Sequence, residues 1–319
     1  MDVKTYQALG LDVPWEDLHA RGYQVNGRAI SDIDESLATV GDVHYHPCPE
    51  AQTSGDLEGE IHTYEQWNQG EVFAGTQRKI SVYLPPSGYG DEPLSVLVFN
   101  DGEAYRSDRG PVRVPRVLEH LLKQGELRPT AAVFVMPGVP EKAALESDKQ
   151  VRYHLAHRQR SFEYDSCTPL YGEFLVRDVL PFVQRELQVE FTSDPARRGV
   201  CGISSGGMCA FNAAWYFPGQ FARVISHCGS FTNIRGANNY PYLIRSTPRK
   251  PLRVFLQSGE RDANIVTGSW PLANQQMADA LAYAGYDHRF EFGTGGHNLR
   301  HAGATFADTL RWIFSSRKS

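Results

Sequence analysis

Gly202-Ile203-Ser204-Ser205-Gly206 constrains this chain more than any other stretch. It fits the pattern Gly-x-Ser-x-Gly. Ahead of it, Arg198-Gly-Val-Cys201 is a short run suited to a buried strand. Behind it, Gly207 to Tyr216 is rich in Ala, Met and Phe and reads as a helix. Strand, tight turn and helix are the context in which the pattern becomes a nucleophile elbow. A serine on a strained turn needs neighbours without side chains, and its hydroxyl then stands clear of the backbone. The competing reading is a glycine-rich corner with no chemistry.

The segments around this elbow set the fold. Arg78 to Leu84 alternates polar and apolar residues, as a half-buried strand does. Ser95–Phe99 and Ala131–Met136 are continuous apolar runs suited to parallel strands buried on both faces. Val200-Cys201, Val224–Ser226 and Val254–Leu256 follow, and His288–Phe292 alternates like an edge strand. Between them, Val112–Lys123, Gly172–Leu187, Pro271–Tyr283 and Ala304–Phe314 carry apolar residues at helical spacing. Strand and helix in repeated alternation predict an α/β chain with a mostly parallel central sheet and helices on both faces. Active sites in such sheets lie at the carboxyl ends of the strands. Residues 1–70 show little pattern beyond a short helix start at Val13–Leu18, and are read as an N-terminal extension packed on a catalytic domain of residues 71–319.

Formal net charge is -5 and no dense Lys/Arg run occurs, which argues against nucleic acid as the main partner. No apolar run approaches the ~20 residues that span a bilayer. The N-terminus lacks a signal-peptide pattern, so a cytoplasmic location is expected. Cys48, Cys167, Cys201, Cys209 and Cys228 are odd in number and lack Cys-x-x-Cys spacing, which favours free thiols over disulfides.

A serine hydroxyl needs a base to act as a nucleophile at neutral pH. Among 11 histidines, His297 in Gly293-Thr-Gly-Gly-His297-Asn298 stands apart, between the last strand and the last helix. Its glycines suit a loop that bends to deliver the imidazole. Asp262 and Glu260, in Ser258-Gly-Glu-Arg-Asp, follow the Val254–Leu256 strand and are the candidates for the orienting carboxylate, with Asp262 preferred. The chain order Ser204, Asp262, His297 is that of an α/β-hydrolase. Two backbone donors are needed for an oxyanion. Ser205 would give one, and Gly102 or Glu103, in the loop Asn100-Asp-Gly-Glu-Ala-Tyr105, the other. Tyr105, Arg160 and Trp270 are candidates for substrate contact; Arg160, Glu163 and Tyr164 together suit either a polar substrate or, preferred, a structural ion pair under a lid. His297 and His301 have the four-residue spacing of metal ligands, but the glycines make a poor helix and no third ligand suggests itself, so neither a metal nor an organic cofactor is expected.

With these residues in view, the chain resembles an esterase family of α/β-hydrolases. That family includes enterochelin esterases, feruloyl and related carbohydrate esterases, S-formylglutathione hydrolase and the mycolyltransferases. Thr76 to Pro86, Val98 to Tyr105, Ser161 to Asp165 with Tyr171 to Leu175, Gly202 to Gly207 and Gly295-Gly-His carry the resemblance, which runs from about Glu71 to Phe314. It implies the α/β-hydrolase fold, with Ser204 as nucleophile, Asp262 as acid and His297 as base. Many members have an acidic residue after Gly-Gly-His and a Trp soon after; here Asn298 and His301 stand there. The 70 N-terminal residues are short for an independent β-sandwich of about 100 residues, which lowers the siderophore reading. The aromatics of Gly138–Pro169 and Phe231–Lys250 (Tyr153, Phe162, Tyr164, Tyr240, Tyr242) suit an aryl or carbohydrate ester. The expected function is a serine carboxylic-ester hydrolase acting on a small-molecule or carbohydrate ester. An acyltransferase with the same triad, a siderophore trilactone esterase and a non-catalytic binding module remain alternatives, and a homo-oligomer is left open.

Overall fold

A computed structural model describes residues 24–25, 28–29, 41–90 and 92–315. The helix start expected at Val13–Leu18 lies outside these residues. Eight strands form the main sheet: β1 (Glu60–Trp67), β2 (Thr76–Leu84), β3 (Ser95–Asn100), β4 (Thr130–Val135), β5 (Arg198–Ile203), β6 (Arg223–His227), β7 (Arg253–Arg261) and β8 (Asp287–Gly296). Their spatial order is β8-β7-β6-β5-β3-β4-β2-β1, with a two-residue strand at Val139–Pro140 added against β2. The six strands β3 to β8 run parallel, and β1 and β2 extend the sheet antiparallel. This is the mostly parallel α/β sheet that the strand–helix alternation predicts, in the α/β-hydrolase arrangement that the resemblance implies.

The register explains why the central runs are apolar throughout. Val133, Val98, Val200, Val224 and Val254 pair across five neighbouring strands and point to one face. The next residues along, Phe134, Phe99, Cys201, Ile225 and Phe255, pair likewise and point to the other. Each row enters a different core. A strand covered on both sides cannot alternate polar and apolar, because both faces exclude water.

Helices supply most of that cover. α1 (Val114–Lys123) and α6 (Arg300–Phe314) pack on the phenylalanine face. On the valine face lie α3 (Leu170–Phe174, continuing through a π-turn at Leu175–Val179 into Leu180–Leu187), α4 (Ser205–Tyr216) and α5 (Trp270–Tyr283). α2 (Lys149–Asp165) begins at Asp148, whose side chain accepts from the amides of Gln150 and Val151. Its mean apolar character is low because only its last turn is buried: Ser161, Glu163, Tyr164 and Asp165.

Part of the segment read as an N-terminal extension lies in the sheet itself. β1, at Glu60–Trp67, is hydrogen-bonded into the main sheet against β2. It escaped notice because most of its residues face solvent, and an exposed edge strand carries little apolar signal. Further upstream, Cys48 and Ala51 are buried in the core beside α1 and α6. All five cysteines are free, four of them buried and Cys167 half-buried. Among the described residues no helix is long and apolar enough to cross a membrane.

Candidate active site

Five strand ends converge on one place: those of β3, β5, β6, β7 and β8. Ser204 stands directly after β5, at φ 58 and ψ -128, a conformation that an L-residue adopts only under strain. The turn is tight enough that a Cβ on Gly202 would lie 2.3 Å from the carbonyl oxygen of Gly206. Ser204 is pinned from both sides, its N–H donating to His227 O and its carbonyl accepting from Ser230 N, both at 3.0 Å.

The structure brings Ser204, His297 and Asp262 together. His297 Nε2 lies 2.9 Å from Ser204 Oγ, and His297 Nδ1 lies 2.5 Å from Asp262 Oδ1. The Asp262 side chain is wholly buried. It also accepts from Ser258 Oγ at 2.5 Å and from Ala263 N at 2.8 Å. Glu260 is not part of this group: its side chain is 60% exposed and pairs only loosely with Arg261.

The glycines before His297 act otherwise than expected. β8 continues straight through Gly296, and neither Gly295 nor Gly296 has a positive φ. They make room. A Cβ on Gly295 would meet Asp42 Oδ1 at 2.4 Å, and one on Gly293 would meet the Tyr45 hydroxyl at 2.1 Å. Buried Asp42 accepts from Gly296 N at 3.3 and 3.2 Å and from Asn298 Nδ2 at 2.5 Å. The segment upstream of the sheet thus clamps the backbone on either side of His297. Sequence reasoning missed Asp42, since nothing near position 42 signals a contact more than 250 residues away.

Ser230, just beyond β6, was missed as well. Its hydroxyl lies 3.2 Å from Ser204 Oγ and 3.2 Å from Trp270 Nε1. An indole N–H only donates, so Ser230 Oγ accepts from it and has its own proton for Ser204 Oγ. Ser204 then directs its proton to His297 Nε2, and His297 Nδ1–H points at Asp262. The hydrogen bonds run one way along the whole series.

The candidate oxyanion donors separate. Ser205 N and Gly102 N each open a helix, where an N–H has no intrahelical acceptor. Glu103 N is engaged by Met136 Sδ at 3.5 Å. The turn itself is made by Asp101, at φ 52, whereas Gly102 allows close packing: a Cβ there would lie 2.5 Å from Phe134 Cα. Asn100 ties this loop to the elbow, donating from Nδ2 to Gly206 O at 2.9 Å and accepting from the Tyr171 hydroxyl at 2.8 Å.

Of the residues expected at the substrate, Tyr105 is corrected outright. It is fully buried in the core beneath the sheet, with its hydroxyl 2.9 Å from His227 Nδ1. On the short helix Gly102–Arg106 its position turns it inward. Trp270 is 2% exposed and meets the His297 ring edge-on at 5.7 Å, so it backs the imidazole. Arg160 grips Asp101 with two hydrogen bonds, at 3.1 and 2.7 Å, and is 27% exposed. Glu163 instead forms a buried pair with Arg78 at 2.7 Å.

Two other histidines are held away from the site's chemistry. Burial, then the charge of His301, lowers the pKa of His227 to about 3. Burial also lowers that of His301, which stacks on Tyr45 and sits near Gln257 and Glu291 rather than beside His297. Among the described residues, one group has donor atoms close enough to share an ion: Cys228, Asp262 and His297. An ion there would displace the hydrogen bonds that orient the imidazole, and burial raises the Cys228 thiol pKa well above its ordinary value.

The profile of the family described as "Putative esterase" matches residues 72–313. The iron(III) enterobactin esterase of Dickeya dadantii (strain 3937) is 30% identical over 256 residues, 75% of this chain and 52% of that protein. The enterobactin esterase FES from Shigella flexneri, in a structure with enterobactin, superposes with a TM-score of 0.64 at 19% identity, over 84% of this chain and 62% of that one. A ferulic acid esterase superposes at 0.59 and 16% identity, over 80% and 98%. The chain spans about half the length of the curated relatives it matches.

Proposed function

The chain belongs to the esterase family of α/β-hydrolases, and from that premise we propose that it hydrolyses carboxylic esters with Ser204 as nucleophile, His297 as base and Asp262 as the carboxylate that orients it. The observation that carries this reading is the unbroken series Ser204 Oγ, His297 Nε2, His297 Nδ1, Asp262 Oδ1 at 2.9 and 2.5 Å. Ser204 Oγ attacks the ester carbonyl as its proton passes to His297 Nε2. The amides of Ser205 and Gly102 hold the resulting oxyanion. Collapse breaks the bond to the alcohol, which leaves with the proton from His297. Water then attacks the acyl group, giving one proton to His297, and the acid departs as that proton returns to Ser204 Oγ. A protonated imidazole cannot accept the Ser204 proton, so turnover falls as His297 becomes charged.

The substrate reading is an aryl or carbohydrate ester. A second reading, a siderophore trilactone ester, is favoured by the 30% identity to an iron(III) enterobactin esterase. Rates on feruloyl esters, acetyl sugars and a catecholate trilactone separate the two. For the mechanism, Ser204→Ala is expected to lower turnover on the order of 10⁴-fold or more with the fold intact. A fluorophosphonate should label Ser204, and turnover should survive EDTA. Labelling at Ser205, or full activity in the variant, would overturn the assignment.

A further inference from the structure

A cleft of about 840 Å³ opens beside the triad, large enough for a substrate side group. Ile203, next to Ser204, and Asn298, next to His297, both line it. Ser204 and His297 are thus each one residue along the chain from this lining. Its walls include apolar Val43, Tyr45, Pro111 and Leu299. Three arginines also line it: Arg109, Arg113 and Arg300. No Asp or Glu does.

These arginines differ from most others on the chain. Arg78, Arg106, Arg116 and Arg160 are each matched by a carboxylate. Among the described residues, Arg109, Arg113 and Arg300 form no ion pair, although the chain as a whole carries a formal charge of -5. Arg113 is also held in place. Its backbone is left-handed at φ 53, and its Nε donates to Gly110 O at 2.9 Å. Positive charge kept unpaired at a reacting centre attracts and orients a negative group, and the guanidinium fork fits a carboxylate in particular.

We propose that this cleft is a subsite for a carboxylate-type anion borne on an apolar part of the ester. The proposal rests on the esterase reading above and adds the charge of the substrate. The anion can lie on the acyl or the alcohol side of the scissile bond.

The test compares matched charged and neutral esters. One pair is the p-nitrophenyl hemiester of glutaric acid against p-nitrophenyl pentanoate, with charge on the acyl side. The other is 4-acetoxybenzoate against phenyl acetate, with charge on the alcohol side. The wild-type enzyme should favour the charged member of one pair by about tenfold in kcat/KM at ~50 mM salt, less at ~500 mM. Arg109→Ala/Arg300→Ala should cut that charged-to-neutral ratio by about tenfold, and Arg300→Glu should lower it further than Arg300→Ala. A ratio near one in both pairs, or a ratio unmoved by the double variant, would overturn the subsite while leaving the esterase reading intact. Hydrolysis that persists in Ser204→Ala would overturn that reading and the subsite with it.

Discussion

The Ser230 hydroxyl lies 3.2 Å from the Ser204 hydroxyl, and it takes a hydrogen bond from Trp270 on its other side. A donor aimed at Ser204 Oγ stabilises negative charge there as the proton leaves, and again when that oxygen departs in deacylation. Ser230→Ala should lower kcat by roughly tenfold, the scale of one net hydrogen bond to a charged group. Trp270→Phe frees the Ser230 proton to point elsewhere and should cost less. Because both act through one hydroxyl, the double variant should lose little more than Ser230→Ala alone. Strictly additive losses in a double-mutant cycle would show that the two residues act separately.

Asp262 and Glu260 are two positions apart but differ in burial and partners. Asp262→Asn should cost on the order of 10³- to 10⁴-fold in kcat, by loss of imidazole orientation and imidazolium stabilisation. Glu260→Gln, at an exposed side chain that pairs only loosely with Arg261, should change kcat by less than about threefold. Steady-state kinetics on a p-nitrophenyl ester decides, and the reverse ranking would sink the assignment.

Asp42 acts on His297 through backbone. Its carboxylate holds Gly296 N and Asn298 Nδ2, so Asp42→Ala should let the His297 segment move and lower kcat by about 10- to 100-fold, the range for groups that orient a functional side chain. Asp42→Asn keeps an acceptor and should recover part of the loss. A purely structural residue would instead lower thermal stability without changing the kcat of the folded enzyme.

His227 links stability to pH. Burial, then the charge of His301, depresses its pKa from 6.5 to about 3, and its Nε2 has no hydrogen-bond partner. The unfolded chain gains a proton near the ordinary value while the folded one stays neutral. The stability from this residue is thus fully present above about pH 6.5 and is lost as pH falls toward about 3, by up to about 1.4 kcal/mol per pH unit. Urea midpoints should decline with acidification, and His227→Asn should flatten the slope below pH ~6.5. Parallel slopes for the two proteins would refute the linkage.

Most of what positions the site is legible because it is local. Gly202 to Gly206 shows a strained turn in five residues, and the apolar runs of β3, β4 and β5 show burial on both faces. Asp262 and His297 could be picked out because each directly follows a strand with turn residues. β1 was illegible because its outward residues are polar. The role of the glycines before His297 was misread because a glycine looks the same whether the chain bends or a neighbour needs the space.

Sequence alone determined the alternation of strands and helices and the strained turn at Ser204, since period and turn chemistry are properties of neighbouring residues, and its motifs resemble those of the esterase family. Tertiary structure alone decided that Tyr105 faces the core rather than substrate, that Asp42 clamps the His297 segment, that Ser230 meets Ser204 and that three arginines share one cleft. Each of those depends on which segments meet across tens to hundreds of residues. Such meetings are set by the packing of the two cores against one sheet, and no window along the chain contains them.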